Sequence, residues 1–524
     1  MFILPSVDPD GAGDLVISAS DIISANDCGF AAVRKLDSIL GRVEAVAAPP
    51  DEMLELTAAL GDRHERIVLD GLKVRYGAGV YEMPVSAGVS RTALESRHRD
   101  TLAALSAGYD VIYQGSFFDG TFHGRADFLI RGPDGRWIVY DTKLARSAKS
   151  SALLQLAAYA GQLTAAGLDV HEEGRLILGD GSTTSHELAG PAARYSAARS
   201  RLQGLLAEHR AEPGPAAFSD PRWGACLKTG CPDCAAAMAA ADDLMLVRGM
   251  NRTRRAALRA AGITTVTGFA AAPEDPAADR LGAALHLQAR MQAGTADPDG
   301  TRNGVSYKVT GPEALDTIPA PDPGDIFFDF EGDPNWQDET TGEWGIEYLF
   351  GLLENNEVFV PFTAHSIAAE RTAFTDFMEH VADRRREFPD LHIYHYAPYE
   401  VTALKKLAAR HGIYADEVAD LVDSGVLFDL LKVVRAALVT SERSFSIKKM
   451  EPLYMPDHRS GVATAVDSLV QYARYGQAIA AGDTDGAAAI FQAITDYNLY
   501  DCVSTLKLRD WLLSLRTPAT VPHA

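Results

Sequence analysis

The 524-residue sequence has no stretch near 18 uninterrupted apolar residues, and its opening M-F-I-L-P-S-V-D-P-D lacks the basic start and full apolar core of a secretory leader. Those absences predict a cytoplasmic chain with no membrane segment. Cysteine is scarce, five in all; this is too few to staple a chain of such length, and the odd number fits a reducing compartment. Positive charge is in deficit, with 49 Lys and Arg against 71 Asp and Glu and a formal net charge of −22. That balance excludes indiscriminate coating of a polyanion by the whole surface, while leaving room for a local basic patch. The phosphate-cradling pattern G-x-x-x-x-G-K-[ST] is missing, as is any internal repeat. The remainder is ordinary for a globular chain of two to four domains, 47% hydrophobic and 23% charged.

The most informative stretch is T-F-H-G-R-A-D-F-L-I-R-G-P-D-G-R-W-I-V-Y-D-T-K-L, residues 121–144. Two β-prone runs flank Gly132-Pro133-Asp134-Gly135, whose Pro and Gly suit a tight reversal. The reversal brings Asp127 near Asp141, and strand alternation puts Asp141 and Lys143 on one face with Thr142 on the other. Two carboxylates and an amine that converge can hold a divalent ion and steer a water, the minimum equipment for phosphodiester cleavage. A helix from Glu52 to Leu72 carries Gly61, His64 and Glu65 upstream, and a helix downstream places Gln155 and Tyr159 four apart on one face.

Three of the five cysteines are crowded at Cys226, Cys231 and Cys234, a ligand spacing with three of the four donors that zinc or a cubane cluster needs. Cys28, in an early strand-then-helix region with Ser18 or Ser20 as its cap, is the one cysteine upstream. Further on, Arg248, Arg252, Arg254, Arg255 and Arg259 fall within twelve positions without an acid, beside turns at Gly249 and Gly262 that resemble helix-hairpin-helix text able to meet phosphates. Residues 293–324 are rich in Gly, Pro, Asp and Thr and read as linker.

A second α/β region begins at D-I-F-F-D-F-E-G-D-P, where Asp329 and Glu331 share a strand face. Strands are expected at 348–353 and 358–362 and a helix at 367–386. Glu400 closes H-I-Y-H-Y-A-P-Y-E, and a terminal helix puts Tyr497 and Asp501 on one face. Asp429 and Cys502 read as structural.

These motifs resemble two nuclease families. G-R-A-D-F-L, D-T-K and Q-x-x-x-Y are similar to the RecB-like branch of the PD-(D/E)xK superfamily. The resemblance implies a restriction-endonuclease-like fold, Mg²⁺ or Mn²⁺ on Asp127 and Asp141 with His64 as an added ligand, and catalytic roles for Lys143, Gln155 and Tyr159. Relatives of the AddB type tie one early cysteine to three late ones around a 4Fe–4S cluster, which implies Cys28, Cys226, Cys231 and Cys234 as its ligands, with zinc the alternative. Asp329, Glu331, Glu400 and Asp501, with Tyr497, resemble the metal site of ribonuclease-H-like 3′–5′ exonucleases of DEDD type, although the middle acid is usually Asp. The order of parts resembles RecB-like putative nucleases with an appended YprB-type domain. The expected fold class is therefore α/β multidomain: a nuclease domain with a cysteine-ligated cluster at 1–240, a helical basic segment at 241–295, a linker at 296–324 and a ribonuclease-H-like exonuclease domain at 325–524. The expected partner is DNA, as single strands or ends, with RNA and a separate helicase as alternatives, and a noncatalytic nucleic-acid-binding subunit is the rival function.

Overall fold

The computed structural model describes residues 1–6, 13–46, 52–84, 88–273, 279–338, 340–456 and 465–516. Part of the opening run and residues 517–524 of the expected last domain lie outside that set. The chain divides into two compact units, Met1–Ala241 and Asp242–Ala524. Among the described residues no helix is long and apolar enough to cross a membrane.

The first unit is built on a six-stranded sheet in the order Val80–Glu82, Val111–Phe118, His123–Arg131, Trp137–Lys143, Glu173–Leu178, Thr183–Glu187. Two of its pairings are parallel, the first strand with the second and the fourth with the fifth. Parallel neighbours need a long crossover, and helices Arg91–Ser106 and Ser150–Ala165 supply it. The expected hairpin forms: Gly135 takes φ +85° in the reversal, and the ladder runs from Arg131↔Trp137 to Phe128↔Tyr140. Helix Glu52–Tyr76 lays Val68, Leu69, Leu72 and Tyr76 against Val111, Tyr113, Phe128, Ile130 and Tyr140, the i, i+3/i+4 stripe of an amphipathic helix.

Cys28 stands at a junction, closing helix Ala19–Asp27 and capping helix Gly29–Ile39 through its sulfur. The sequence places it inside the helical text. The extended backbone at φ −151° breaks that text, and Gly29 then packs so close to the Trp223 carbonyl that an added Cβ would stand 2.5 Å from it. Ser18 is the cap of the preceding helix, in a capping box with Asp21.

The second unit holds a five-stranded sheet ordered Phe359–Thr363, Trp344–Glu354, Ile326–Gln337, Ile393–His395, Leu427–Asp429. The first three strands are antiparallel and the last two join in parallel. Both faces of Ile326–Gln337 are covered. Ile326, Phe328 and Phe330 pack with Phe350, Phe374 and Phe377, whereas Phe327 packs with Leu506, Leu508 and Leu512 of helix Thr484–Ser514. Alternation puts Asp329 and Glu331 on the Phe327 side, facing that helix.

Residues 296–324 depart from the linker expectation. Strands Gly300–Arg302 and Val305–Val309 form a small sheet with Leu438–Thr440, and Leu315 and Ile318 are buried. The Gly and Asp content marks the tight turn between the two strands, with Asn303 and Gly304 both at positive φ; sequence alone cannot show that the third strand arrives from more than 120 residues away.

Candidate functional site

In the first unit the hairpin ladder stops one pair short of Asp127 and Asp141. Asp127 Oδ2 there accepts hydrogen bonds from the Thr142 amide and hydroxyl, both 2.8 Å. Thr142 therefore orients Asp127 through two donors. Asp141 is 1% exposed; neither of its oxygens has a hydrogen-bond partner, but Lys143 Nζ pairs with Oδ2 at 2.5 Å. Burial and the neighbouring Asp127 push its carboxyl up to about 7. Tyr159 lies within the field of both carboxylates, its hydroxyl pushed up to about 12 by burial and bonded to Gln155. The Tyr159 ring passes over Gly124 so closely that a Cβ there would meet it at 2.7 Å.

His64 faces the strand beside the hairpin, where Ile177 is the ladder partner of Thr142. Its Nε2 lies 3.4 Å from the Ile177 carbonyl on the adjoining strand. The next residue, Glu65, accepts from Gln114 Nε2, and burial and the charge of Asp127 raise its carboxyl. Both residues are half-buried against the sheet.

The four cysteines gather with all sulfurs within 4.8 Å of one another; Cys28 Sγ to Cys234 Sγ is 3.5 Å and Cys226 Sγ to Cys234 Sγ 3.6 Å. The hydrogen bond from Cys234 holds the Cys28 thiol well below its usual range. The same bond raises Cys234, and burial raises Cys231. Four sulfurs crowded this closely are a donor set that a soft cation would stabilise.

In the second unit Asp329, Glu331 and Asp501 bring their carboxylate oxygens within 4.8 Å of one another. This group and the cysteines are the two such gatherings among the described residues; His64, Asp127 and Asp141 do not form a third. Three carboxylates this close repel unless a cation lies between them, and an all-oxygen donor set suits Mg²⁺ or Mn²⁺. Asp329 is held by Asn498 Nδ2 at 2.9 Å and Glu331 by the Ser468 hydroxyl at 2.7 Å. Gly351, opposite Asp329 in the ladder, makes room for this: a Cβ there would fall 1.5 Å from Asn498 Oδ1. The ladder shifts register between Glu331 and Gly332, a bulge of the kind that re-aims side chains beside active sites.

Glu400 does not join that trio. It is 3% exposed, with Oε2 3.3 Å from His395 Nδ1, a nitrogen that also sits 2.7 Å from the Ala397 carbonyl. Its place in the first turn of helix Tyr399–His411 turns it toward His395, and burial raises its carboxyl. Tyr497, on the same helix as Asp501, is buried with Lys448 Nζ 5.6 Å from its ring centre. Asp429 caps helix Leu430–Ala437 and accepts from the Ala397 amide, and Cys502 donates to the Gly351 carbonyl.

The five arginines of the basic segment do not present one surface. Arg248 is bound by Gln288 and Thr440, with its guanidinium 3.5 Å from the centre of the Phe445 ring. Arg255 pairs with buried Asp243, and Arg254 with Asp279 at 2.6 Å. Arg252 and Arg259 sit on the same short helix, Arg252–Ala260.

Residues 326–513 match the family model of the RNase_H superfamily. The second unit thus contains a ribonuclease-H-like domain, a fold associated with nuclease-type hydrolysis and, in general, with divalent metals. No curated protein matches the chain. Sequence reading passed over Asn498 and Ser468 as site residues. Asn498 stands beside Tyr497 in Y-N-x-x-D, whereas a serine 137 residues from Glu331 left no local signal.

Proposed function

We propose that the chain is a metal-dependent nuclease acting on DNA single strands or ends, with a DEDD-type 3′–5′ exonuclease site in the second unit and a RecB-like, restriction-endonuclease-like site in the first. The observation that carries this reading is the convergence of Asp329, Glu331 and Asp501 inside the ribonuclease-H-like domain. A divalent cation on those oxygens would neutralise phosphate charge and lower the pKa of a bound water. Asn498 and Ser468 fix the carboxylates in advance, so that little reorganisation accompanies binding. Tyr497, four residues before Asp501, would orient the attacking water. In the first unit Asp127 and Asp141 are the proposed ligands. Lys143, 34% exposed at its side chain, holds or delivers a proton at Nζ, and Gln155 and Tyr159 line the substrate side.

The cysteines form a structural metal centre in this reading. The family resemblance points to 4Fe–4S; the sulfur spacing supports one tetrahedral ion, since zinc–sulfur bonds of about 2.3 Å put sulfurs about 3.8 Å apart. Zinc is the assignment the geometry favours. DNA contact by Arg252 and Arg259, and a separate helicase as partner, belong to the same proposal.

The test is cleavage of end-labelled single-stranded DNA and RNA with Mg²⁺ or Mn²⁺ by the parent, Asp329→Ala, Asp141→Ala and the double variant. Loss of 3′-end trimming in Asp329→Ala and of the remaining cleavage in the double variant is expected. Metal-independent binding without turnover by the parent would instead make the chain a noncatalytic binding subunit, and trimming of RNA alone would assign the second unit to RNA.

A further inference from the structure

Tyr348 lies fully buried in strand Trp344–Glu354 of the second unit. In the ladder Glu331 pairs with Leu349 and Gly332 with Glu347, so Tyr348 is the extra residue of the bulge. Bulges re-aim a side chain and are frequent beside active sites. The group aimed here is the Tyr348 phenol, whose oxygen lies 2.7 Å from the Ser468 hydroxyl. Ser468, also fully buried, donates to Glu331 Oε2 at 2.7 Å.

A serine hydroxyl has one proton to give. Ser468 gives it to the carboxylate, so Tyr348 is the donor to Ser468, and the chain runs from phenol to serine to Glu331. Helix Ala465–Ala480 receives that donor with two residues four apart on one face, Ser468 and Tyr472. The Tyr472 ring stacks on the Tyr348 ring, 3.7 Å between centres and 8° between planes, which holds the phenol in place. A phenylalanine would fill the same space without a buried polar atom to satisfy; the hydroxyl adds the bond to Ser468.

From this geometry we infer that Tyr348 is a positioning residue, acting through Ser468 to fix Glu331 in one orientation for a divalent cation shared with Asp329 and Asp501. The inference rests on the reading of those three carboxylates as a metal site and adds to it the device that aims one of them. With Tyr348 donating, the Ser468 proton is committed to Glu331. Without that donor the serine hydroxyl can turn among about three staggered positions, one of which serves the carboxylate.

The experiment uses the full chain with Asp141→Ala, which removes the first site, and compares added Tyr348→Phe, Ser468→Ala and Asp329→Ala. Calorimetric Mn²⁺ binding, trimming of end-labelled single-stranded DNA, and melting with and without Mn²⁺ are measured on each. Tyr348→Phe keeps the stacked ring and should melt close to its parent without metal, yet bind Mn²⁺ about threefold more weakly. Ser468→Ala removes the charge-assisted bond itself and should bind about tenfold more weakly. Trimming should fall in the same order, and Mn²⁺ should raise the melting of both variants less than that of the parent. A merely structural hydroxyl would lower melting and leave Mn²⁺ affinity unchanged. Parent-like Mn²⁺ binding and trimming in Tyr348→Phe, with loss in Ser468→Ala, would confine the role to Ser468 and overturn the inference. Parent-like behaviour of both variants, with binding and trimming lost in Asp329→Ala, would also overturn it and leave the metal-site reading standing. Intact binding and trimming in Asp329→Ala would overturn the reading itself.

Discussion

Burial of Asp141 has a direct consequence for stability. Its carboxyl is pushed up to about 7 in the folded protein, by burial first and Asp127 second, against about 3.9 in an unfolded chain. Between those values the folded state keeps a proton that the unfolded state has released, so folding stability falls as pH rises through the window, by at most about 1.4 kcal/mol per pH unit. The penalty is absent below about pH 4 and complete above about pH 7. Asp141→Asn, which cannot ionise, should therefore melt higher than the parent at pH 7.5 without added divalent ions. That advantage should shrink toward pH 4 and close when Mn²⁺ is added, because the ion stabilises the ionised parent. Melting curves at several pH values measure it, and a parent more stable than Asp141→Asn at pH 7.5 in the absence of metal would refute the assignment.

At the scale of elements, the cysteine centre joins pieces that the chain keeps far apart: the junction of helices Ala19–Asp27 and Gly29–Ile39, and the segment leading into helix Pro232–Ala240. A crosslink across so long a loop removes much of the freedom of the unfolded chain. Cys28→Ser should release the bound metal, and the loss of roughly 3 to 4 kcal/mol should lower the melting of the first unit by about 10 °C. Cys502→Ser, in the second unit, should leave metal content unchanged. Elemental analysis with calorimetry reads both, and full metal content in Cys28→Ser would remove Cys28 from the centre. Elements of this kind were legible where the code is local. The Gly132–Gly135 turn, the alternation around Asp141 and Lys143, the D-F-E strand and the Tyr497–Asp501 helix face could all be read from sequence. What escaped was set by packing over long separations: the Ser468 bond to Glu331, the Gln114 bond to Glu65, and the strand pairing that recruits residues 300–309.

For the whole molecule, charge limits how nucleic acid can be held. A formal net charge of −22 repels a polyanion at long range, most strongly where salt is low and screening weak. The local basic segment does little to reverse this, because Arg248, Arg254 and Arg255 are engaged within their own unit. Each phosphate neutralised on a single strand contributes about −0.7 to the slope of log affinity against log salt, so a segment with most of its arginines engaged supplies only a small part of a steep slope. A shallow slope is therefore expected for labelled single-stranded DNA, measured by fluorescence anisotropy between low and moderate NaCl. Affinity should depend far more on a non-catalytic divalent ion such as Ca²⁺, which offsets the clustered carboxylates where the phosphate must approach. Asp329→Ala should weaken the Ca²⁺ dependence with little change in the slope, whereas Arg252→Ala with Arg259→Ala should flatten the slope and spare the Ca²⁺ effect. A parent slope of about −4 or steeper without divalent ions would mean that DNA is gripped mainly by a basic surface elsewhere, and the carboxylate sites would then not govern binding.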